Sequence, residues 1–225
     1  MCGRFTRTIP LEDIITEFDV AQVVCDLGPS YNIAPTQPIA IIAEEDGTRR
    51  LVTLRWGLIP SWARDPAIGN KMINARAETL SQKPSFRLAF KKRRCLIIAD
   101  GFYEWRKQGS RKVPLYIRLK SGKPFAFAGL YEHWTAPDGN TIETCAVITT
   151  GANDLLHPIH PRMPVILPKA HHAVWLDPTM EDEQVLLPLL QPFASDEMEA
   201  YEVSRQVNSP RHNTPACILP VKRGE

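Results

Sequence analysis

Hydrophobic positions in this chain fall mostly into short runs of four to eight residues, separated by proline, glycine and clusters of polar residues, which is the layout of a strand-rich domain. One early segment has a different period. Leu11, Ile14, Ile15 and Phe18 recur at i, i+3, i+4 and i+7, which predicts an amphipathic helix over 11–18, with Pro10 where a first helical turn tolerates it. Pro38 to Ala43 and Leu51 to Trp56 are strand-like, and the polar Glu44-Glu45-Asp46-Gly47 between them predicts a hairpin. Four further β-rich runs follow, Cys95–Ala99, Phe102–Trp105, Pro114–Leu119 and Phe125–Tyr131, and then Cys145–Thr150. Asp100-Gly101 and Ser121-Gly122 supply turn chemistry among them.

The intervening segments read as loops and short helices. Tyr31 to Pro38 carries two prolines in four residues, which argues against helix and central strand alike. Gly57 to Trp62 is a second loop, and residues 63–85 read as largely irregular; loops of that length are usually functional. Phe86 to Phe90 predicts a short helix, with the basic run Lys91 to Arg94 as its solvated end. His157 to Pro164 is again fixed by prolines and leads into strand-like Val165–Leu167, while 170–176 and 181–190 read as short helices. The fold expectation is a single α+β domain over residues 1–225, with a mainly antiparallel sheet core and short peripheral helices.

Composition narrows the class further. At 225 residues the chain can bury a sizeable core, and 44% hydrophobic with 23% charged residues is ordinary for a water-soluble domain. A net charge of +2 neither requires nor excludes nucleic acid, so the placement of the bases decides. No run approaches the length of a membrane span, and the first residues lack the apolar core of a signal peptide. The five cysteines are scattered, which argues against a disulfide framework and for a reducing cytoplasm.

Candidate chemistry begins at Met1-Cys2. Methionine is usually trimmed before a small second residue, which here leaves Cys2 with an α-amine and a thiol on adjacent carbons. The two groups titrate at about 8 and about 8.5 in model compounds, and together they can capture an aldehyde as a five-membered thiazolidine. Glu104 lies among aromatics in Gly-Phe-Tyr-Glu-Trp, where burial makes a proton shuttle; it fits an outward-facing strand position equally well. His160 is held between Pro158 and Pro161, a rigid placement for an acid/base imidazole. Asn74 offers a neutral donor and acceptor in the long loop. Arg4, Arg76, Arg87 and Arg162 each adjoin a candidate in sequence and suit phosphate clamping, while Trp62 can stack on a base and Trp56 reads as core. His157 with His160 lacks the further ligands of a metal site, and no cofactor-binding motif is present.

Seven motifs, in order, resemble the SRAP (SOS-response-associated peptidase) family of abasic-site processing proteins. They are Met-Cys-Gly-Arg-Phe at 1–5, Tyr-Asn-Ile-Ala-Pro at 31–35, Trp-Gly-Leu-Ile-Pro-Ser-Trp at 56–62, Ile-Asn-Ala-Arg-Ala-Glu-Thr at 73–79, Pro-Ser-Phe-Arg at 84–87, Cys-Leu-Ile-Ile-Ala-Asp-Gly-Phe-Tyr-Glu-Trp at 95–105 and His-Pro-Arg-Met-Pro at 160–164. The resemblance implies a barrel-like sheet core and, as partner, single-stranded DNA containing abasic sites. It implies covalent capture without a cofactor, by a monomer that associates with the nucleoid when bound to damage. Carried over by motif, Cys2 is the nucleophile, Asn74 positions the reacting groups, Glu104 moves protons at the amine and His160 assists sugar opening and crosslink reversal. Arg4, Arg76, Arg87 and Arg162 would hold phosphates, and Trp62 would act as a wedge. Ala63 stands where some relatives carry a second bulky residue. Two other readings are a peptidase or amidohydrolase using the terminal cysteine, as the family name suggests, and a non-enzymatic reader of modified DNA.

Overall fold

In the computed structural model the described residues are 2–221, so the expected loss of Met1 concerns a residue outside them. Two sheets share one set of buried side chains. The larger places Arg162–Pro164, Thr141–Gly151, Phe125–Thr135, Arg94–Ala99, Pro38–Glu45, Thr48–Trp56 and Gln22–Val23 side by side. Five of these close on themselves, because Arg55 and Trp56 pair in parallel with Thr144 and Cys145. The ring formed by Pro38–Glu45, Thr48–Trp56, Thr141–Gly151, Phe125–Thr135 and Arg94–Ala99 is a small barrel, whose other contacts are antiparallel.

Alternation along these strands sends side chains to two cores, which explains their nearly unbroken apolar runs. Ile39, Ile41, Cys95, Ile97, Phe125, Phe127, Cys145 and Val147 point to one side. Ala40, Ile42, Leu96, Ile98, Ala126, Ala128, Ala146 and Ile148 point to the other, where Ile14 and Phe18 of the helix Leu11–Phe18, Phe90 and Trp175 cover them. The hairpin between Pro38–Glu45 and Thr48–Trp56 turns at Asp46 and Gly47, with φ of 50° and 72°, the left-handed pair of a two-residue turn.

The smaller sheet runs Met198–Glu202, Arg111–Leu119, Gly101–Gln108, Phe5–Arg7 and Ser30–Ile33. The N-terminal strand is therefore internal. Phe5 pairs with Phe102 on one side and Ile33 on the other, and its ring meets Trp56 edge-on at 5.1 Å and Phe127 at 5.7 Å. Beyond this strand the Asp100 carboxylate accepts from the Thr8 amide at 2.5 Å and the Ile9 amide at 3.2 Å, and from the hydroxyls of Thr6 and Thr8.

Several expectations are revised. Tyr31 to Ile33 is strand, paired with Phe5–Arg7, because the prolines begin only after it. The stretch 63–85 holds a 3₁₀ turn over Pro66–Lys71 and a three-residue strand, Asn74–Arg76, parallel to Val147–Thr149. Asp100-Gly101 does not close a hairpin; it carries the chain from the larger sheet to the smaller. Gly101 is required there because a Cβ would lie 2.1 Å from the Tyr116 hydroxyl. Arg94 is not solvated: it is 3% exposed and donates to the carbonyls of Phe90, Lys91, Trp175 and Asp177.

Candidate active site

The internal position of Phe5–Arg7 fixes Cys2, three residues before it, in the body of the fold. Cys2 is fully buried. The Asn74 side-chain amide donates to the Cys2 carbonyl at 2.9 Å, an orientation set by the carbonyl, which can only accept. Asn74 reaches this point because its strand is registered on Val147. Its Oδ1 is buried without a hydrogen-bond partner among the described residues.

Glu104 and His160 arrive from different elements. Glu104 lies on Gly101–Gln108 and is 4% exposed, so the outward-facing alternative does not hold. His160 closes the turn that follows Asn153, and the two residues line one cavity of about 420 Å³ with Trp105, Lys112 and Asn208. The main-chain N–H of Arg162 points at His160 Nδ1 across 3.1 Å. The Arg162 carbonyl is also 3.1 Å from Nδ1, so the Arg162 backbone fixes the ring position for either tautomer. Burial pushes the Cys2 thiol up to about 12, and the nearby Glu104 carboxylate adds to the rise. The resting sulfur is therefore an S–H, not the thiolate that chemistry requires.

The arginines divide. Arg4 donates to Asn32 Oδ1 at 2.7 Å and the Val207 carbonyl at 2.6 Å, and lies 5.8 Å over the Trp105 ring. Asn32 in turn donates toward the carbonyls of Val207, Ser209 and His212. Together they hold the segment that presents Asn208, whose Oδ1 accepts from Trp105 Nε1 at 2.8 Å. Arg162 makes a two-point ion pair with Glu78, at 2.8 and 3.0 Å, and donates to the Thr149 carbonyl at 2.5 Å. Hydrogen bonding from Arg162 holds the Glu78 carboxyl below its usual range. Arg76 is exposed on the Asn74 strand. Arg87 and Trp62 are exposed as well, Trp62 at 59%, and neither belongs to the cavity wall. Ala63, beside it, is buried, and its carbonyl accepts from Trp134 Nε1.

The structure brings Cys2, Asn74, Glu104 and His160, each singled out in the sequence, together from four separate stretches. Sequence reasoning missed Glu78, Lys112 and Asn208. Glu78 sits inside a motif already singled out, four residues after Asn74, but nothing local reports its pairing with a residue 84 positions away.

The geometry has counterparts among known proteins. A family model described as SOS response associated peptidase (SRAP) matches residues 1–210. Abasic site processing protein YoqW of Bacillus subtilis (strain 168) is 52% identical over 221 residues, spanning 97% of this chain and 99% of its own. Abasic site processing protein HMCES of Xenopus tropicalis is 34% identical over 232 residues, covering 87% of this chain and 68% of that one. A crystal structure of a Bacteroides thetaiotaomicron protein superposes with a TM-score of 0.88 at 31% identity, over 98% of this chain and all of the other.

Proposed function

The chain belongs to the SOS response associated peptidase (SRAP) family, and on that footing we propose that it processes abasic sites in single-stranded DNA by capturing the open-chain aldehyde on Cys2. The observation that supports this most is the convergence on Cys2: Asn74 fixes its carbonyl, Glu104 acts electrostatically on its thiol, and Glu104 shares a cavity with His160.

The reading requires loss of Met1, so that Cys2 carries the α-amine. The abasic sugar rests as a closed hemiacetal, and opening it moves a proton from the anomeric hydroxyl and delivers one to the ring oxygen. His160, which lines the cavity with Glu104, is suited to such exchange. The Cys2 amine then adds to the aldehyde carbon, forming a carbon–nitrogen bond. Asn74 Oδ1, buried beside the Cys2 carbonyl, is a ready acceptor for the amine or the new hydroxyl. Water leaves and an imine remains.

An imine alone promotes β-elimination at the neighbouring phosphate. The thiol prevents this by adding sulfur to the imine carbon. The S–H proton passes toward Glu104, the imine nitrogen takes up a proton, and a thiazolidine is left. In sum, aminothiol and aldehyde give thiazolidine and one water. A sulfur kept protonated until the imine forms is shielded from other electrophiles. Arg76 and Arg162 serve phosphates in this reading, Arg162 after release from Glu78, and Arg87 and Trp62 serve the strand farther out.

Intact-mass spectrometry after incubation with an abasic oligonucleotide tests the proposal. The expected species is the chain without Met1, plus the oligonucleotide, minus one water, and absent for Cys2→Ala. Absence of that species with the wild-type protein rejects covalent capture.

A further inference from the structure

The strand pair that carries Glu104 has a one-sided charge that the residues assigned above leave unused. Across the whole chain 27 basic residues nearly balance 25 acidic ones. From Arg106 to Lys120, by contrast, there are six basic residues and no acidic one. Arg118 is neutralised by Glu199 at 2.7 Å. Lys107 and Lys112 are not: both are exposed, and neither is in an ion pair among the described residues.

Their register places them together. Lys107 is the direct cross-strand partner of Lys112, and Trp105 is the partner of Pro114 two positions along. Direct partners share a face of the sheet, as do residues two apart, so Trp105, Lys107 and Lys112 form one row. Like charges opposed in this way destabilise a hairpin unless an anion lies between them. One end of the row is the active cavity itself, since Trp105 and Lys112 are part of its wall with Glu104 and His160. Lys107 lies about 7 Å farther out along the strand from Trp105.

We infer that Lys107 and Lys112 form a phosphate-binding track that carries the nucleic-acid backbone away from the cavity, over the hairpin of Gly101–Gln108 and Arg111–Leu119. The occupant is a single-stranded polyphosphate backbone. The row continues the cavity wall, and Lys107 and Lys112 face each other across the hairpin, presenting two cations side by side to a passing backbone. The track rests on the proposed handling of DNA for its ligand, but it requires no covalent step.

The test uses the full chain and its Lys107→Ala/Lys112→Ala double variant, with an undamaged 20-nucleotide DNA strand as probe. Anisotropy is followed from low to moderate salt. The expected result is a Kd raised about tenfold at low salt, with the slope of log K against log salt reduced by about 1.4, near 0.7 for each phosphate lost. An abasic trinucleotide too short to reach Lys107 is expected to be captured equally fast at saturation by the wild-type protein and by the single variant Lys107→Ala, which leaves Lys112 in the cavity wall. An unchanged slope overturns the track. So does slower capture of the trinucleotide by Lys107→Ala, which assigns that lysine to the reacting groups. Wild-type protein that forms no adduct, alongside a variant whose slope still falls, rejects covalent capture and leaves the track standing.

Discussion

Asn74 holds the Cys2 carbonyl at 2.9 Å although 72 residues separate them, and it does so from a three-residue strand whose position is set by Val147. Cys2 is thus aligned from a different sheet than the one that contains the strand Phe5–Arg7. Asn74→Ala removes the donor, leaves a buried carbonyl unpaired, and frees Cys2 to rotate. Loss of such a bond costs about 1–3 kcal/mol. Adduct formation under single-turnover conditions is expected to slow about 10- to 100-fold, with DNA affinity unchanged. An unaltered rate on denaturing gels would show that Asn74 is dispensable for alignment.

Glu104 has two opposed effects on Cys2. As a negative neighbour it raises the thiol, and in the proposed reaction it would receive the proton when sulfur adds. Glu104→Gln is therefore expected to make Cys2 more reactive toward iodoacetamide while slowing adduct formation by roughly 10²–10⁴-fold. A structural role alone would move both rates in the same direction. Mass spectrometry of the alkylated Cys2 peptide, measured beside the capture rate, separates the two.

Arg162 cannot clamp a phosphate in two-point fashion while Glu78 occupies the same nitrogens. In the proposed role for Arg162, DNA would have to displace the carboxylate, which would lower the net gain from binding. Glu78→Gln weakens the competitor, so single-stranded DNA should bind several-fold more tightly, with a salt slope steeper by about 0.7. Weaker binding with the original slope would instead mark Glu78 as a fixed support for Arg162.

Stability should fall in alkali. Burial pushes the thiols of Cys2, Cys95 and Cys145 up from their ordinary value of 9.0, Cys2 to about 12, and pushes the Tyr131 hydroxyl to about 12 as well. A group whose folded pKa is raised keeps its full contribution below the unfolded value and loses it as pH rises toward the folded one. Unfolding free energy from urea titrations is expected to vary little with these groups below about pH 8. Above pH 9 it should drop by up to about 1.4 kcal/mol per pH unit for each buried thiol. A flat profile to pH 11 would mean that the thiols are solvated.

Phe5→Ala tests whether the first strand belongs to the core. Phe5 is fully buried against Trp56 and Phe127, so the substitution should cost about 3–5 kcal/mol. Urea midpoints measure it, and a loss under 1 kcal/mol would place the segment outside the cooperative unit.

The parts of this fold readable from the chain were those with a strong local pattern. The helix Leu11–Phe18 and the Asp46-Gly47 hairpin declare themselves through spacing and turn chemistry. The long strands did too, because burial on both faces keeps them continuously apolar. Asn74–Arg76 did not, since three residues carry no period and the strand exists only by pairing with Val147–Thr149. Ring closure through Trp56 and Cys145 is likewise a contact between residues 89 apart. At the site, motif resemblance reached the four central residues, but Lys112 and Asn208 enter only through register and through the anchoring of the tail by Asn32.

That anchoring bears on how the protein is made. Synthesis delivers Cys2 first, and Asn32 must wait for Val207, Ser209 and His212 before its amide has those carbonyls to hold. Asn208 is made 103 residues after Trp105, and only then can the two meet and complete the cavity. Until then the nascent cysteine is an exposed thiol open to any aldehyde or oxidant in its surroundings. The burial of Cys2 is in this sense completed by a segment made long after it.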